Sequence, residues 1–504
     1  MKYISTRGGE AGFESSLAIL QGIAPDGGLL VPDELPQVSE SELRALSRRS
    51  YPERVADILA RFLTDYRPDE LLDYARQAYA EDRFDPSPAP VVGLNKYLNR
   101  EFVLELWHGP TGAFKDMALQ ILPHLLTAAV RKTGSRDRVA ILAATSGDTG
   151  KAALEGFRDI PGTDVVVFYP EKGVSDAQRR QMTTQEGANC HVVAVEGNFD
   201  DAQAGVKAIF QDPELSGELA AAGIRLSSAN SINWGRLAPQ VAYYFSAYCD
   251  LLAANVLEPG ERINFVVPTG NFGNILAAWY ALRMGLPIRR LICASNRNKV
   301  LSDFIRNGTY DRRREFFRTL SPSMDILVSS NLERLLFELA GRDPAPVRNW
   351  MADLRDKGQY TIDAQSLRRL QEVFVGGFAD DQGTTKSIRE LYDRLDHVFD
   401  PHTAVGFNVY ERYAARSGDA ARTVFVATAS PYKFCPAVCD ALYGNGFSRG
   451  RGEPALVEAL ARESGLPAPS WLQDMAGKPV LHDRKIDRNR MKDEVRRILL
   501  KSED

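Results

Sequence analysis

Residues 138–154 read RVAILAATSGDTGKAAL, and this stretch decides the architecture. Its first half is an unbroken apolar run without alternation, which suits a strand buried on both faces of a parallel sheet. Its second half turns on two glycines and passes directly into a helical pattern. Working outward, similar runs recur at 100–107 (REFVLELW), 164–170 (DVVVFYP), 190–197 (CHVVAVEG), 263–269 (INFVVPT), 289–295 (RRLICAS) and 422–429 (RTVFVATA). Helical patterns lie between them, among them MALQILPHLLTAAVRKT, DAQAGVKAIFQD and WGRLAPQVAYYFSAYCDLL. This alternation predicts an α/β protein with doubly wound parallel sheets.

The first 95 residues differ. GIAPDGGLLVPDELP predicts turns and short extended pieces. SESELRALSRRSYPERVADILARFL and PDELLDYARQAYAE then carry helical periodicity, with Ser39 or Ser41 as the cap of the first. The Pro-broken segment DPSPAPVVGLNKY marks a boundary. At the other end, HDRKIDRNRMKDEVRR (482–497) reads as an amphipathic, solvated helix.

Bulk properties exclude several classes. The chain has 504 residues, long enough for about three domains. It carries 62 basic and 66 acidic residues with no basic stripe, so no sequence-independent nucleic-acid surface is expected. No segment is apolar for long enough to span a bilayer, and the N-terminus lacks the apolar region of a secretory signal. Five widely spaced cysteines argue against a disulfide framework and for a reducing, cytoplasmic setting. Cys435 and Cys439 lack the partners of a zinc site, and no metal is expected.

In open α/β sheets, ligands bind beyond the carboxyl ends of strands. Three loops there have unusual chemistry. ATSGDTGKAAL (144–154) brings Ser146, Gly147, Asp148, Thr149 and Gly150 to a helix start, which is either a capping sequence or an anion site. PTGNFGNILAAWYA (268–281) sets two glycines in a strand-to-helix turn. It matches neither dinucleotide nor P-loop fingerprints, and reads either as a tight turn or as a phosphate cradle. HGPTGAFKDMALQ (108–120) places Lys115 just before a helix, where the dipole opposes a cation. Such a lysine is either a solvated group or an amine held for chemistry. Taken together, two anion cradles and one awkwardly placed lysine point to pyridoxal 5′-phosphate (PLP), a phosphate-bearing aldehyde that binds through lysine.

At these residues the sequence resembles the threonine synthases, PLP enzymes of fold type II (tryptophan synthase β-like), over most of its length. TGAFKD, SGDTG and GNFGN carry the resemblance, with GIAPDGGLLVP, SSANSINWGR and DPHTAVG matching the longer bacterial and fungal branch. The resemblance implies two doubly wound parallel-sheet domains plus a mostly helical N-terminal domain. The boundaries are 1–95 for the N-terminal domain, 96–135 with 227–504 for the large PLP-binding domain, and 136–226 for the small one. It implies Lys115 as the catalytic lysine that carries PLP as a Schiff base. Phe114 would lie beside the ring, and Gly270, Asn271, Phe272, Gly273 and Asn274 would hold the cofactor phosphate. Thr428 would face the pyridine nitrogen. Ser146, Asp148 and Thr149 would receive the substrate carboxylate, although a carboxylate at 148 must then be neutralised or turned away. Asn230, Ser231 and Arg236 would hold the substrate phosphate. The implied reaction is that of a carbon–oxygen lyase, converting O-phospho-L-homoserine and water to L-threonine and phosphate. The alternative is a phospho-lyase of the same fold that yields 2-oxobutyrate, phosphate and ammonia. A monomer or small homo-oligomer without membrane or nucleic-acid partners is expected. Asp400 and His402 read as a helix-start turn.

Overall fold

A computed structural model describes residues 1–94, 100–145, 147–172 and 174–501. Two sheets dominate. The larger has six strands in the order Phe374–Phe378, Ile288–Ser295, Ile263–Pro268, Thr423–Ala427, Glu101–Glu105, Val91–Gly93. All pairings are parallel except the last. The smaller sheet has five strands, all parallel, in the order Lys485–Asp487, Cys190–Glu196, Thr163–Pro170, Arg138–Ala144, Ile224–Ser228. The seven apolar runs in the sequence are therefore strands of these two sheets. Their β-branched side chains are buried on both faces, as parallel sheets covered by helices require.

Phe374–Phe378 is a strand that the sequence hides. Its FVGGF has two glycines because helices press against it. A Cβ on Gly376 would stand 2.9 Å from the Ser302 carbonyl oxygen, and one on Gly377 would stand 2.4 Å from a Val409 methyl. MALQILPHLLTAAVRKT forms two helices, Asp116–Leu119 and Leu122–Lys132, because Pro123 lacks an N–H and belongs in a first turn.

The tail departs further from its reading. Lys485–Asp487 pairs with Cys190–Glu196, and the helix Met491–Leu500 buries Met491, Val495 and Leu499 in the core of the smaller sheet. The segment therefore packs with the small unit and not with the large one, and one face of its helix is dry. The amphipathic spacing allowed for that face, but not for the partner it packs against.

The N-terminal segment combines a three-stranded antiparallel sheet with the helices Glu40–Leu46, Tyr51–Phe62 and Pro68–Ala78. Ser39, not Ser41, caps the first. Its hydroxyl accepts from the Glu42 N–H while the Glu42 carboxylate accepts from the Ser39 N–H. This segment shares its core with the larger sheet unit. Trp234, at the start of the buried helix Trp234–Ala253, meets the rings of Tyr3, Phe62 and Tyr280 at 5.4–5.5 Å. Among the described residues, no helix is long and apolar enough to cross a membrane.

Candidate active site

Lys115 sits at the turn that starts Asp116–Leu119. The loop before it is held from two sides. The Asp116 carboxylate accepts from the Thr111 N–H and hydroxyl, both at 2.9 Å. Burial pushes this carboxyl up to about 6 against those hydrogen bonds and the charge of Lys433. On the other side, the Phe114 N–H donates to the Thr428 carbonyl at 2.9 Å, and the Ser430 N–H donates to Gly112 at 2.9 Å. The end of the strand Thr423–Ala427 is thus zipped to the lysine loop, which places Thr428 next to Phe114 and Lys115. The Lys115 amine lies 4.2 Å from the centre of the Phe114 ring. It makes no hydrogen bond or ion pair with the described residues. Burial first, then the charge of Arg236, push it down to about 8, against an opposite pull from Asp148.

Arg236 lies two residues into the helix Trp234–Ala253 and is buried, 2% exposed. It donates to the Ala229 carbonyl, its Nε–H has no partner, and no carboxylate among the described residues pairs with it. Burial pushes the guanidinium down to about 10, which leaves it charged at neutral pH. A buried, charged, unpaired guanidinium is costly, and an anion satisfies it. The loop leading to it carries Asn230 and Ser231, both half-buried. The Asn233 side chain caps the helix through the Gly235 N–H, at 2.9 Å.

The loop Gly270–Asn274 is a cup of unused donors. Among the described residues, no acceptor meets the backbone N–H groups of Gly270, Asn271, Phe272, Gly273 and Asn274, which open the helix Gly273–Arg283. Phe272 takes the left-handed conformation at φ 64°, which curls the loop. A Cβ on Gly270 would stand 2.5 Å from the Ser323 carbonyl oxygen. One on Gly273 would stand 3.7 Å from the Ser231 Cβ, so the cup adjoins the Asn230–Arg236 loop. Asn331 joins the two, donating to the Ser231 hydroxyl at 3.0 Å and to the Asn271 carbonyl at 3.1 Å. The Asn274 carboxamide oxygen accepts from Tyr243 and Tyr244, while its Nδ2 is buried without a partner.

The third loop opens the helix Asp148–Phe157. Thr145 shapes it, its hydroxyl accepting from the Gly147 and Gly150 N–H groups, each at 2.9 Å. Gly147 has φ 142°, and a Cβ there would meet the Gln178 side chain at 2.4 Å. Thr149 is half-buried at the helix start, and Ser146 lies outside the described residues. Asp148 is buried with both oxygens engaged. Oδ1 accepts from Gln178 Nε2 and pairs with Lys433 Nζ, each at 2.9 Å, and Oδ2 accepts from the Ser323 hydroxyl at 3.3 Å. Burial alone would raise this carboxyl. The Lys433 charge, the hydrogen bonds from Lys433 and Gln178, and His402 together hold it at about 2.

Ser323 leads to one more pair. Its N–H donates to His402 Nε2 at 3.2 Å, so the ring hydrogen is on Nδ1, which faces Asp400 Oδ1 at 2.7 Å. Asp400 also caps the helix Pro401–Ser417 through the His402 N–H. The helix-start reading of this turn holds, and the turn also anchors the Ser321–Met324 segment against Gly270 and Asp148.

The sequence reading missed Lys433, Ser323 and Asn331. Lys433 had a usable signal. It precedes the helix Cys435–Tyr443 just after a strand, the same unfavourable placement that singled out Lys115. Ser323 and Asn331 come from a long connection without periodicity and carried none.

The geometry is thus a lysine with a depressed amine, a cup of free N–H groups, a buried unpaired arginine and a second helix start, all beyond the strand ends. Three family models match: threonine synthase N terminus over residues 2–79, pyridoxal-phosphate dependent enzyme over 86–429, and threonine synthase C-terminal over 403–477. A threonine synthase of Pseudomonas aeruginosa is 41% identical over 465 residues, 92% of this chain and 93% of that one. The human protein threonine synthase-like 1 is 41% identical over 437 residues, 85% of this chain, and this chain spans 58% of its length. The crystal structure of PLP-bound threonine synthase from Brucella melitensis superposes with a TM-score of 0.86 at 37% identity, covering 99% of each chain. The two-sheet architecture is accordingly fold type II, and the chain belongs to the threonine synthase family of pyridoxal-phosphate-dependent enzymes.

Proposed function

We propose that this chain converts O-phospho-L-homoserine and water to L-threonine and phosphate with the aid of PLP. The observation that carries this reading is Arg236, a buried guanidinium without a carboxylate partner whose charge acts on the Lys115 amine. Such a group suits an anion, and a substrate phosphate is the one this reading assigns to it. The residues also fit the cofactor. The N–H groups of Gly270, Asn271, Phe272, Gly273 and Asn274 would hold its phosphate, Phe114 would pack beside its ring, and the Thr428 hydroxyl would meet its pyridine nitrogen. When bound, PLP supplies an electron sink for the substrate carbon next to the amine.

The remaining work falls to side chains. Lys115, depressed to about 8, has a substantial neutral fraction near pH 7.5–8, so its amine takes the α-proton and returns it. Ser146 and Thr149, with the positive end of the helix Asp148–Phe157, receive the substrate carboxylate. Asp148 belongs to the same pocket but has its charge spent on Lys433. Asn230, Ser231 and Arg236 grip the phosphate that departs from Cγ. We place PLP in the unit built from 96–135 and 227–484, the remainder of 227–504 once the tail is set apart, and treat 136–226 as the smaller partner unit. The working form is a cytoplasmic monomer or small homo-oligomer.

The deciding experiment is product analysis of the PLP-loaded protein with O-phospho-L-homoserine. L-Threonine and phosphate in equal amounts are expected. Release of 2-oxobutyrate and ammonia in place of threonine would overturn the synthase reading in favour of a phospho-lyase. Lys115→Ala is expected to abolish the visible absorbance of lysine-bound PLP.

A further inference from the structure

Lys433 enters the reading above only as the partner of Asp148, yet it is 1% exposed and fully engaged. It lies in the short turn Pro431–Phe434, just beyond the strand that leads to Thr428. Its ammonium donates to the Thr111 carbonyl at 2.8 Å and to Gln181 Oε1 at 3.2 Å, and pairs with Asp148 Oδ1 at 2.9 Å. The Trp471 ring lies 5.8 Å away. An ammonium has three hydrogens, and here three acceptors come from three elements: the Lys115 loop, the helix Asp176–Thr183 and the helix Asp148–Phe157.

The sign of the charges gives this arrangement its purpose. Asp148 opens a helix whose positive end attracts anions. An uncompensated carboxylate there would repel an incoming carboxylate. It would also favour a protonated Lys115, since Asp148 already pulls that amine upward. Gln178 and Ser323 could orient Asp148, but neither brings positive charge. Lys433 does, and its ammonium is itself buried.

We propose that Lys433 is a positioning residue for recognition of an amino acid's α-carboxylate: by neutralising Asp148 and turning it aside, it leaves the start of the helix Asp148–Phe157 free for the ligand's own carboxylate. The inference rests on the placement of the substrate carboxylate under Proposed function. Lys433 itself touches neither the substrate nor the cofactor in this account, so its effect passes through Asp148.

The test uses PLP-loaded protein and two probes, L-threonine and L-threoninol, which lacks the carboxylate. Binding is read from the cofactor spectrum, with PLP affinity by dialysis and Tm alongside. Lys433→Met is expected to weaken L-threonine binding roughly 30-fold or more, as removal of one member of a buried ion pair does. L-Threoninol binding should change by less than about threefold, within the usual scatter of such comparisons. The double variant Asp148→Asn with Lys433→Met removes both charges and should recover L-threonine binding to within about fivefold. Equal weakening of both probes, or a double variant as weak as the single one, would overturn the proposal. If Lys433→Met no longer retains PLP, the double variant decides: binding within fivefold supports the proposal, and a folded, PLP-bearing protein blind to L-threonine sinks it. Turnover of O-phospho-L-homoserine by the unaltered chain is measured in the same series. Its absence with the L-threonine titrations as expected would remove the reaction and leave the role of Lys433 standing. An unaltered protein that ignores L-threonine would overturn the role of Lys433, and together with absent turnover it would overturn both.

Discussion

The charge of the buried Arg236 guanidinium bears on the half-buried Lys115 amine and pushes it down. After burial, the arginine is the largest influence lowering the lysine, while the arginine stays charged and without a carboxylate. One residue therefore lowers the base and offers an unpaired Nε–H to an anion.

Arg236→Ala is expected to raise KM for O-phospho-L-homoserine by roughly 10- to 100-fold, the worth of a charge-assisted hydrogen bond. PLP affinity should move far less. Steady-state kinetics with equilibrium dialysis of PLP separates the two, and an equal loss of both would show that Arg236 serves the cofactor.

Capture of PLP by the apoprotein requires the neutral amine of Lys115. Because burial and Arg236 lower that amine, the capture rate should rise with pH through about 8, well below the ordinary lysine range. In Arg236→Met the midpoint should move upward, since a repelling charge is gone. Stopped-flow absorbance across pH 6–10 checks both the position and the direction. A midpoint unaltered by the substitution would break the proposed coupling.

Gly270→Ala places a methyl group 2.5 Å from a backbone oxygen of Ser323, which cannot rotate away. The cup or the Ser321–Met324 segment must shift. PLP affinity is expected to fall roughly tenfold or more, with stability lowered by about 1–3 kcal/mol. Dialysis of PLP and urea denaturation measure these separately, and unchanged PLP affinity would argue against the cup as the phosphate seat.

Trp234→Ala removes a ring that meets Tyr3, Phe62 and Tyr280 in the shared core. A loss of about 3–5 kcal/mol is expected in urea denaturation. The N-terminal segment and the larger sheet unit should unfold in one transition. Two separate transitions in the unaltered protein would contradict a continuous core.

The strands that the sequence revealed are those whose burial needs nothing but apolar side chains, such as RVAILAAT and INFVVPT. Phe374–Phe378 escaped because close packing demanded glycine at 376 and 377, and glycine carries no periodic signal. The tail escaped because its contacts are with residues some three hundred positions earlier, such as Gly205 against Met491. In the site, the Gly-rich loops after strands could be read directly, since free N–H groups at helix starts follow from local chemistry. The partners of Asp148 could not. Lys433 is 285 positions away, and only the zipping of Thr428 to Phe114 brings its turn to the pocket.

Trp234 and Arg236 stand two residues apart on one buried helix, the first packed among the rings of Tyr3, Phe62 and Tyr280 and the second proposed to grip the substrate phosphate. Selection on either therefore constrains the other. A lineage that drifts in its N-terminal packing also retunes its grip on phosphate. A change of substrate made on this helix would also disturb the Trp234 packing two residues away. The accessible route to new specificity runs instead through Asn230 and Ser231, half-buried and outside the helix, where variation leaves the keystone ring in place.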